Sequence, residues 1–425
     1  MEPGLGKSRV ALEVARTAHR TLVLAPPTPA ELVWPEQRAL WAPDLSFRLV
    51  RGTLKEREAI LWGERPQVAV LNYTLLHWFY DVVARRRRLP YDVLVMDECN
   101  AVKTASSIAF RTLSAIEEVF DAVIPMTGTP AENSLGDAWG PCYFVDGGEA
   151  LGKKIGVFRE RFCRPVVREN YVRWEVSRPH ELKRAAAPLC FVRRANDCLD
   201  MPPLVFNDVH FDLSRRERRF FDSIDRRGVV PLDDPFVCKN TGVAYDKMRQ
   251  VSSGFVYDEQ RETHSLGTSK FDALQECLEE ACGQPVFVGY WFSASVRLIN
   301  GATRFLHNTE YPVINRETSM KDKARYLRLW GQGRIPVLLG QIGSIAKGAN
   351  MQSPHASVLF YDLPWSHGMH WQFIRRVWRY GQDTRVVVRR LLGRATKDGY
   401  VARVLKRKQV DEADFMQAIL NEEAI

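Results

Sequence analysis

The sequence predicts an α/β protein with two parallel-sheet lobes, and three observations carry that prediction. The chain has 425 residues, too many for one compact core, so two domains are the default. Short, continuously apolar runs recur between helix-length amphipathic stretches, the pattern of parallel strands buried on both faces. This alternation comes in two blocks, separated by a stretch in which it fades.

The first block opens on Gly4-Leu5-Gly6-Lys7-Ser8, followed by a helical pattern in Val10, Ala11, Val14, Ala15 and Ala18. Glycines ahead of a helix let backbone N–H groups of Gly4, Leu5 and Gly6 approach phosphate oxygens, and the helix N-terminus adds its positive dipole end. In such a loop Lys7 reaches the β- and γ-phosphates and the Ser8 hydroxyl takes a Mg²⁺ position. A phosphate loop normally follows a buried strand. None precedes this one, so the first lobe is expected to lack its N-terminal strand, with a segment upstream of Met1 supplying it.

Residues 21–25, 68–71, 93–96 and 122–126 read as buried parallel strands. Ligands of such sheets gather at the strand C-termini, and the polar motifs follow the strands there. Asn72-Tyr-Thr74 follows the second, Asp97-Glu98 the third and Thr127-Gly-Thr-Pro130 the fourth. An Asp-Glu pair at that position suits metal-assisted phosphoryl chemistry, with Asp97 on the Mg²⁺ side and Glu98 as general base. The plainer reading is two solvated acids at a strand end.

Between about 145 and 266 the alternation gives way to Arg, Pro and aromatic residues, with helical patterns at 181–187 and 214–225. A helical connection is expected there, with the clusters Arg193-Arg194 and Arg215-Arg216 on solvated surface. Alternation returns with a helix at 271–282, a strand at 285–289 and a helix at 321–330. Strands at 336–340, 357–361 and 385–392 follow. Between the last two lies Gln372-Phe-Ile-Arg-Arg-Val-Trp-Arg-Tyr-Gly-Gln382. As a helix ended by Gly381, it places Phe373, Ile374, Val377 and Trp378 on one face and Gln372, Arg376 and Arg379 on another. Two guanidiniums one turn apart can grip a polyphosphate by charge-assisted hydrogen bonds. Alone, the same pattern describes an ordinary amphipathic helix with a solvated basic face.

Composition excludes more than it selects. The eight cysteines contain no Cys-x-x-Cys pair, which suits reduced thiols better than a disulfide framework or a zinc site. No apolar run reaches transmembrane length and no signal-peptide pattern is present, so a membrane partner is not expected. A net charge of +9 permits an anionic partner without demanding one.

The order of motifs resembles that of superfamily 2 nucleic-acid translocases, and within them the Swi/Snf-type ATPases. The resemblance runs from Glu2 to about Lys408. Its elements are Glu2-x-Gly-Leu-Gly-Lys-Ser8, Leu22-Val-Leu-Ala-Pro26 with Trp34 and Glu36, and Asp97-Glu98 with Lys103. Thr127-Gly-Thr-Pro-x-x-Asn133 leads to Asp137-Ala-Trp139. Gly348-Ala-Asn-Met-Gln352, Asp362-Leu-Pro-Trp365 and Gln372-x-x-x-Arg376-x-x-Arg379-x-Gly-Gln382 complete the set. The resemblance implies two RecA-like lobes, residues 1–145 and 266–425, joined by a helical protrusion at 146–265, with ATP and Mg²⁺ as cofactors. It implies Arg376 and Arg379 as arginine fingers, and Gln372 against the nucleotide or the attacking water. Thr127, Thr129, Gly348, Asn350 and Gln352 would couple nucleotide state to the grip on nucleic acid. The implied partner is double-stranded DNA held by its backbone without sequence preference, in the cytoplasm of a bacterial or viral host cell. One departure stands out. Asn100 occupies a position where the family usually has His, which puts coupling between the lobes in question. Two other readings remain: a DNA-binding regulatory module with a decayed ATPase, and a phosphate-loop kinase, which gives the arginine pair no role.

Overall fold

A computed structural model describes residues 1–423 except 3, 132, 169–170, 346–350 and 381–383. The chain divides into two compact units, the first chiefly Met1–Leu199 with Lys408–Ile425, the second chiefly Asp200–Ala346 with Asn350–Arg407.

In the first unit β1 (Thr21–Ala25), β2 (Phe47–Leu49), β3 (Val68–Asn72), β4 (Val93–Asp97) and β5 (Ala122–Met126) form a sheet in the order β2-β3-β1-β4-β5, every pair parallel. The two-residue period of a strand sorts its side chains into two cores. Leu22, Leu24, Leu71, Leu94 and Met96 pack on one face with Phe79, Phe110 and Trp139. Val23, Val70 and Val95 pack on the other with Trp34 and with Ala11, Leu12 and Ala15 of the helix Lys7–Thr17. Phe415 and Met416, late in the helix Asp398–Glu423, enter the first of these cores. Helix Trp139–Asp146 sits on the turn after β4 so closely that a Cβ on Gly140 would lie 2.1 Å from the Val102 carbonyl oxygen. A hairpin, β6 (Cys163–Arg168) with β7 (Tyr171–Val176), is also part of this unit.

The second unit contains β8 (Leu204–Phe211), β9 (Val229–Val230), β10 (Phe236–Val237), β11 (Phe255–Tyr257), β12 (Thr263–Ser265), β13 (Val286–Tyr290), β14 (Val313–Ile314), β15 (Val337–Gln341), β16 (Ser357–Phe360) and β17 (Val386–Gly393). Its main sheet runs β14-β15-β13-β16-β17-β8, again all parallel. Phe287, Leu338, Val358, Phe360 and Val388 face one core; Val286, Val288, Leu339, Leu359 and Leu391 face the other.

The expected α/β class with parallel sheets is what the chain adopts, and the expected strands fall within about two residues of their places. The stretch 146–265 differs from its helical expectation. The helices Pro179–Ala186 and Arg215–Arg227 are present, but seven strands lie there too, and β8 is the sixth strand of the second sheet. Asn207, Asp208 and His210 break the apolar run of β8, which an exposed edge strand tolerates. Among the described residues no strand precedes the glycine loop.

Candidate active site

The loop at the head of the first helix is built from two glycines in the left-handed region, Gly4 at φ 90° and Gly6 at φ 80°. Both are solvent-exposed. A Cβ on Gly6 would meet nothing closer than 3.9 Å; backbone conformation, not crowding, is what favours glycine there. The helix starts at once, with the Val10 N–H donating to the Gly6 carbonyl at 3.0 Å. Glu2 ties the loop down from behind: its N–H donates to the Arg193 carbonyl (3.0 Å) and its carboxylate accepts the Ala195 N–H (2.8 Å). The Lys7 ammonium donates to the carbonyls of Met1 (3.1 Å) and Glu2 (3.3 Å), folding back onto its own loop. Ser8 is half-buried in the first turn. Exposed backbone with room in front, a lysine and a hydroxyl form a donor set that fits a polyphosphate and its metal.

Asp97 closes β4 and is buried; its carboxylate accepts the Trp34 indole N–H at 3.0 Å, and its carbonyl accepts the Tyr73 hydroxyl at 3.1 Å. Glu98 follows at φ 52°, a conformation that costs a non-glycine residue about 1–3 kcal/mol and persists only where surroundings impose it. Asn100, two residues further on, is tied to the turn after β5. Its amide N–H donates to the Thr129 hydroxyl (3.1 Å), its amide oxygen accepts the Thr127 hydroxyl (3.2 Å), and the Thr129 N–H donates to Thr127 Oγ1 (3.0 Å). The turns after β4 and β5 are thereby one hydrogen-bonded piece, with Thr129 fully buried inside it. Lys103 lies 3.6 Å from Asp137, which also accepts the Asn133 N–H. An apolar cavity of about 420 Å³ adjoins the site, lined among others by Lys7, Cys99, Thr127, Val123 and Ile124. Burial, with Glu98 and Asp97 nearby, pushes the Cys99 thiol up, so it is an inert wall rather than a nucleophile.

In the second unit the arginine stretch departs from its sequence reading in two ways. Helix His367–Val377 ends before Trp378, whose backbone turns extended. Trp378 is held there by its indole N–H on the Pro202 carbonyl (2.7 Å) and by the Arg375 guanidinium 4.1 Å over its ring. Arg379 therefore lies beyond the helix instead of sharing a helical face with Gln372 and Arg376. Nor is the polar face solvated: Gln372, Arg375 and Arg376 are each under a tenth exposed. The apolar face is as expected, with Phe373 stacked on Phe287 at 4.4 Å. Burial, then repulsion from Arg376 and Arg375, pushes Arg379 down to about 10, which still leaves it charged at neutral pH. Met351 N–H donates to the Arg376 carbonyl (3.0 Å) and the Gln352 amide to the Tyr380 carbonyl (2.8 Å), joining the two motifs. Gly348, Asn350, Gly381 and Gln382 lie outside the described residues.

Asp362 takes on a role in the fold that its motif alone did not assign. Its buried carboxylate accepts the hydroxyls of Ser253 (2.6 Å) and Ser295 (2.7 Å) and the backbone N–H groups of Trp291 (2.9 Å) and Phe292 (3.4 Å). The Lys270 ammonium, equally buried, lies 3.9 Å from it and 3.5 Å from Asp398. An acid directly after an apolar strand is the available signal, the same one that picks out Asp97.

Two parallel-sheet units, one with a phosphate loop and an Asp-Glu turn and the other with a buried arginine helix, define an α/β phosphate-loop protein of two units. The SNF2-related domain model matches residues 7–265, and the chain belongs to that family. It is 24% identical to protein p41 of Acyrthosiphon pisum secondary endosymbiont phage 1, over 98% of this chain and 93% of p41. It is 22% identical to the ATP-dependent helicase MG018 of Mycoplasma genitalium, over the whole of this chain but 41% of that protein. A looser likeness is to the Sulfolobus solfataricus SWI2/SNF2 ATPase core in complex with dsDNA, at 20% identity and a TM-score of 0.41, over 99% of this chain and 90% of that one. Among the described residues no helix is long and apolar enough to cross a membrane.

Proposed function

We propose that the chain is a nucleic-acid-dependent ATPase that couples hydrolysis to movement along duplex DNA. The observation that carries the proposal is the Asn100 bridge, which makes the Asp97-Glu98 turn and the Thr127-Gly-Thr129 turn a single piece beside the glycine loop. In this reading the two turns respond together to the nucleotide. Backbone N–H groups of Gly4, Leu5 and Gly6 hold the phosphates, and Lys7 leaves its loop carbonyls to reach them. Ser8 and Asp97 would hold Mg²⁺, which neutralises phosphate charge when bound. Glu98 takes the proton of the attacking water as the new oxygen–phosphorus bond forms and the bond to ADP breaks. Arg376 and Arg379 stabilise charge on the transferring phosphoryl group, and Gln372 orients the nucleotide or the water. Thr127, Thr129, Gly348, Asn350 and Gln352 transmit nucleotide state to the grip on DNA. Because the units carry complementary parts, ATP draws them together and hydrolysis releases them.

Double-stranded DNA, gripped by backbone and without sequence preference, is the proposed partner; family membership, the helicase relatives and the net charge of +9 support it. The phage relative suits a bacterial or viral host cytoplasm. The test is steady-state ATP hydrolysis with and without duplex DNA for Glu98→Gln and Arg376→Ala. Loss of an arginine finger lowers the rate by roughly three to five orders of magnitude. Unchanged hydrolysis in Arg376→Ala sinks its role. ATP-independent, sequence-selective binding would favour the regulatory-module reading instead.

A further inference from the structure

Two helical segments of the first unit are not used by the chemistry above. One is helix Leu54–Glu58 with its continuation Ala59–Glu64; the other is helix Leu76–Arg86. They lie side by side. Arg86 donates to the Glu58 carboxylate at 2.6 Å and stands 4.9 Å over the Trp62 ring, whose N–H donates to the Arg88 carbonyl at 3.1 Å. Arg57 stands 5.4 Å over Trp78. Residues 48–65 and 76–88, in and flanking this pair, carry nine Lys or Arg against four Asp or Glu, which is +5 of the protein's +9. The four carboxylates are engaged already. Glu56 accepts the Thr53 N–H, Glu58 is shared by Arg86 and Arg85, Glu64 holds Arg48, and Asp81 faces His77 at 3.6 Å. Arg65, Arg87 and Arg88 are exposed and have no carboxylate within ion-pair distance among the described residues.

Arg65 and Arg87 each follow the end of their helix in the left-handed region, at φ 50° and 48°. Glycine fills such a position without strain, so a long side chain kept there points to a use for it. Basic residues near a helix C-terminus answer its dipole, but two such ends amount to about one negative charge, far less than the excess here. The place matters too. β1, β3 and β4 are parallel, and Arg65 and Arg88 precede β3 and β4, whereas Asp97 and Glu98 follow β4. Five residues of strand, about 16 Å at roughly 3.3 Å each, separate the two edges.

From this juxtaposition of uncompensated arginines on two packed helix ends, away from the acid turn, we infer that the first unit has a nucleotide-independent seat for the phosphate backbone of intact duplex DNA. The inference rests on the nucleic-acid reading above and adds to it a hold that does not pass through the ATP site. Eight of the nine cations are arginine, whose planar fork pairs with phosphate oxygens through two hydrogen bonds. Trp62 and Trp78 lie under guanidiniums, so the face offers charge without an indole for unpaired bases to stack on, which suits a closed duplex. A membrane surface calls for apolar side chains beside the charge, and Leu54 is the one large apolar residue exposed in these segments. Duplex held here stays attached while the nucleotide-coupled grip lets go.

The experiment uses the full chain and the triple variant Arg65→Gly, Arg87→Gly and Arg88→Gln. Glycine takes both left-handed positions without strain, so a weaker grip is not a folding loss. Anisotropy titrations on a blunt duplex without nucleotide, at several salt concentrations, give the salt slope, with DNA-free ATPase as control. The variant should bind at least about tenfold more weakly and lower the slope by about 2.7, because three phosphates are no longer neutralised. Its DNA-free hydrolysis should be unchanged. An unchanged slope in the variant overturns the inference. So does a parent that binds polyglutamate as tightly as duplex and loses only the polyglutamate in the variant, which makes the face a seat for an acidic protein. A parent that neither binds duplex nor is stimulated by it brings down the nucleic-acid reading and this one with it. A parent stimulated by duplex whose slope the variant leaves alone brings down this one only.

Discussion

The two sheets match strand for strand until the last position. β2-β3-β1-β4-β5 in the first unit corresponds in order and direction to β14-β15-β13-β16-β17 in the second. The second then continues to β8, paired with β17 over eight residues from Val386↔Leu204 to Gly393↔Phe211. In the first unit the half-buried Val123, Ile124 and Pro125 of β5, with the buried Met126, line the 420 Å³ apolar cavity. The matching strands also carry matching acids with opposite employment. Asp97 ends β4 at the glycine loop; Asp362, just after β16, is saturated with donors from Ser253, Ser295, Trp291 and Phe292. The lesson is that topology sets where an acid stands and not what it does: Asp362 holds loops together, whereas chemistry is the role proposed for Asp97.

The comparison breaks most visibly at those acids. Asp97→Asn should lower ATP turnover by about a thousandfold, since a metal-held charge is worth several kcal/mol in a phosphoryl transition state, while the urea midpoint hardly moves. Asp362→Ala should do the reverse. It leaves buried donors unsatisfied at about 1–3 kcal/mol each, so the second unit unfolds at lower urea while the folded fraction still turns over. Equal stability losses in the two variants would erase the distinction.

The smallest effect is one of pH and belongs to the second unit. His370, buried and stacked on Phe360 at 4.6 Å, is pushed well below its ordinary value by burial first and then by His367 and Arg390. Below about pH 6.5 the unfolded chain binds a proton there that the folded chain does not. Stability therefore falls as pH drops through that value, by at most about 1.4 kcal/mol per pH unit from this group. His370→Phe should flatten the dependence of the urea midpoint between pH 6.5 and 5; an unaltered slope would assign it to other groups.

Sequence periodicity was enough for the inner strands because they are buried on both faces and tolerate only apolar residues. It failed where one side is exposed. β8 carries Asn207, Asp208 and His210, and β6 carries Arg164 and Pro165, so neither shows an apolar run. The turns proposed to bear the chemistry stand out in the sequence because glycine, Asp-Glu and Thr-Gly-Thr have few substitutes at such positions. The end of the arginine helix was not, because Trp378 leaves the helix through a bond to Pro202, a residue far away in the chain. The role of Asn100 was equally hidden. It was a departure from a pattern in the sequence, and in the fold it is the bond between two turns.

Gly140 carries a consequence for genetics. With 2.1 Å between its missing Cβ and the Val102 carbonyl oxygen, every amino-acid replacement pushes the helix Trp139–Asp146 off the turn that holds Asn100. No compensating change in a neighbouring side chain can restore the fit, since the obstacle is main chain. A screen for heat-sensitive alleles should therefore recover this codon, and its revertants should be true back-mutations rather than second-site suppressors beside it.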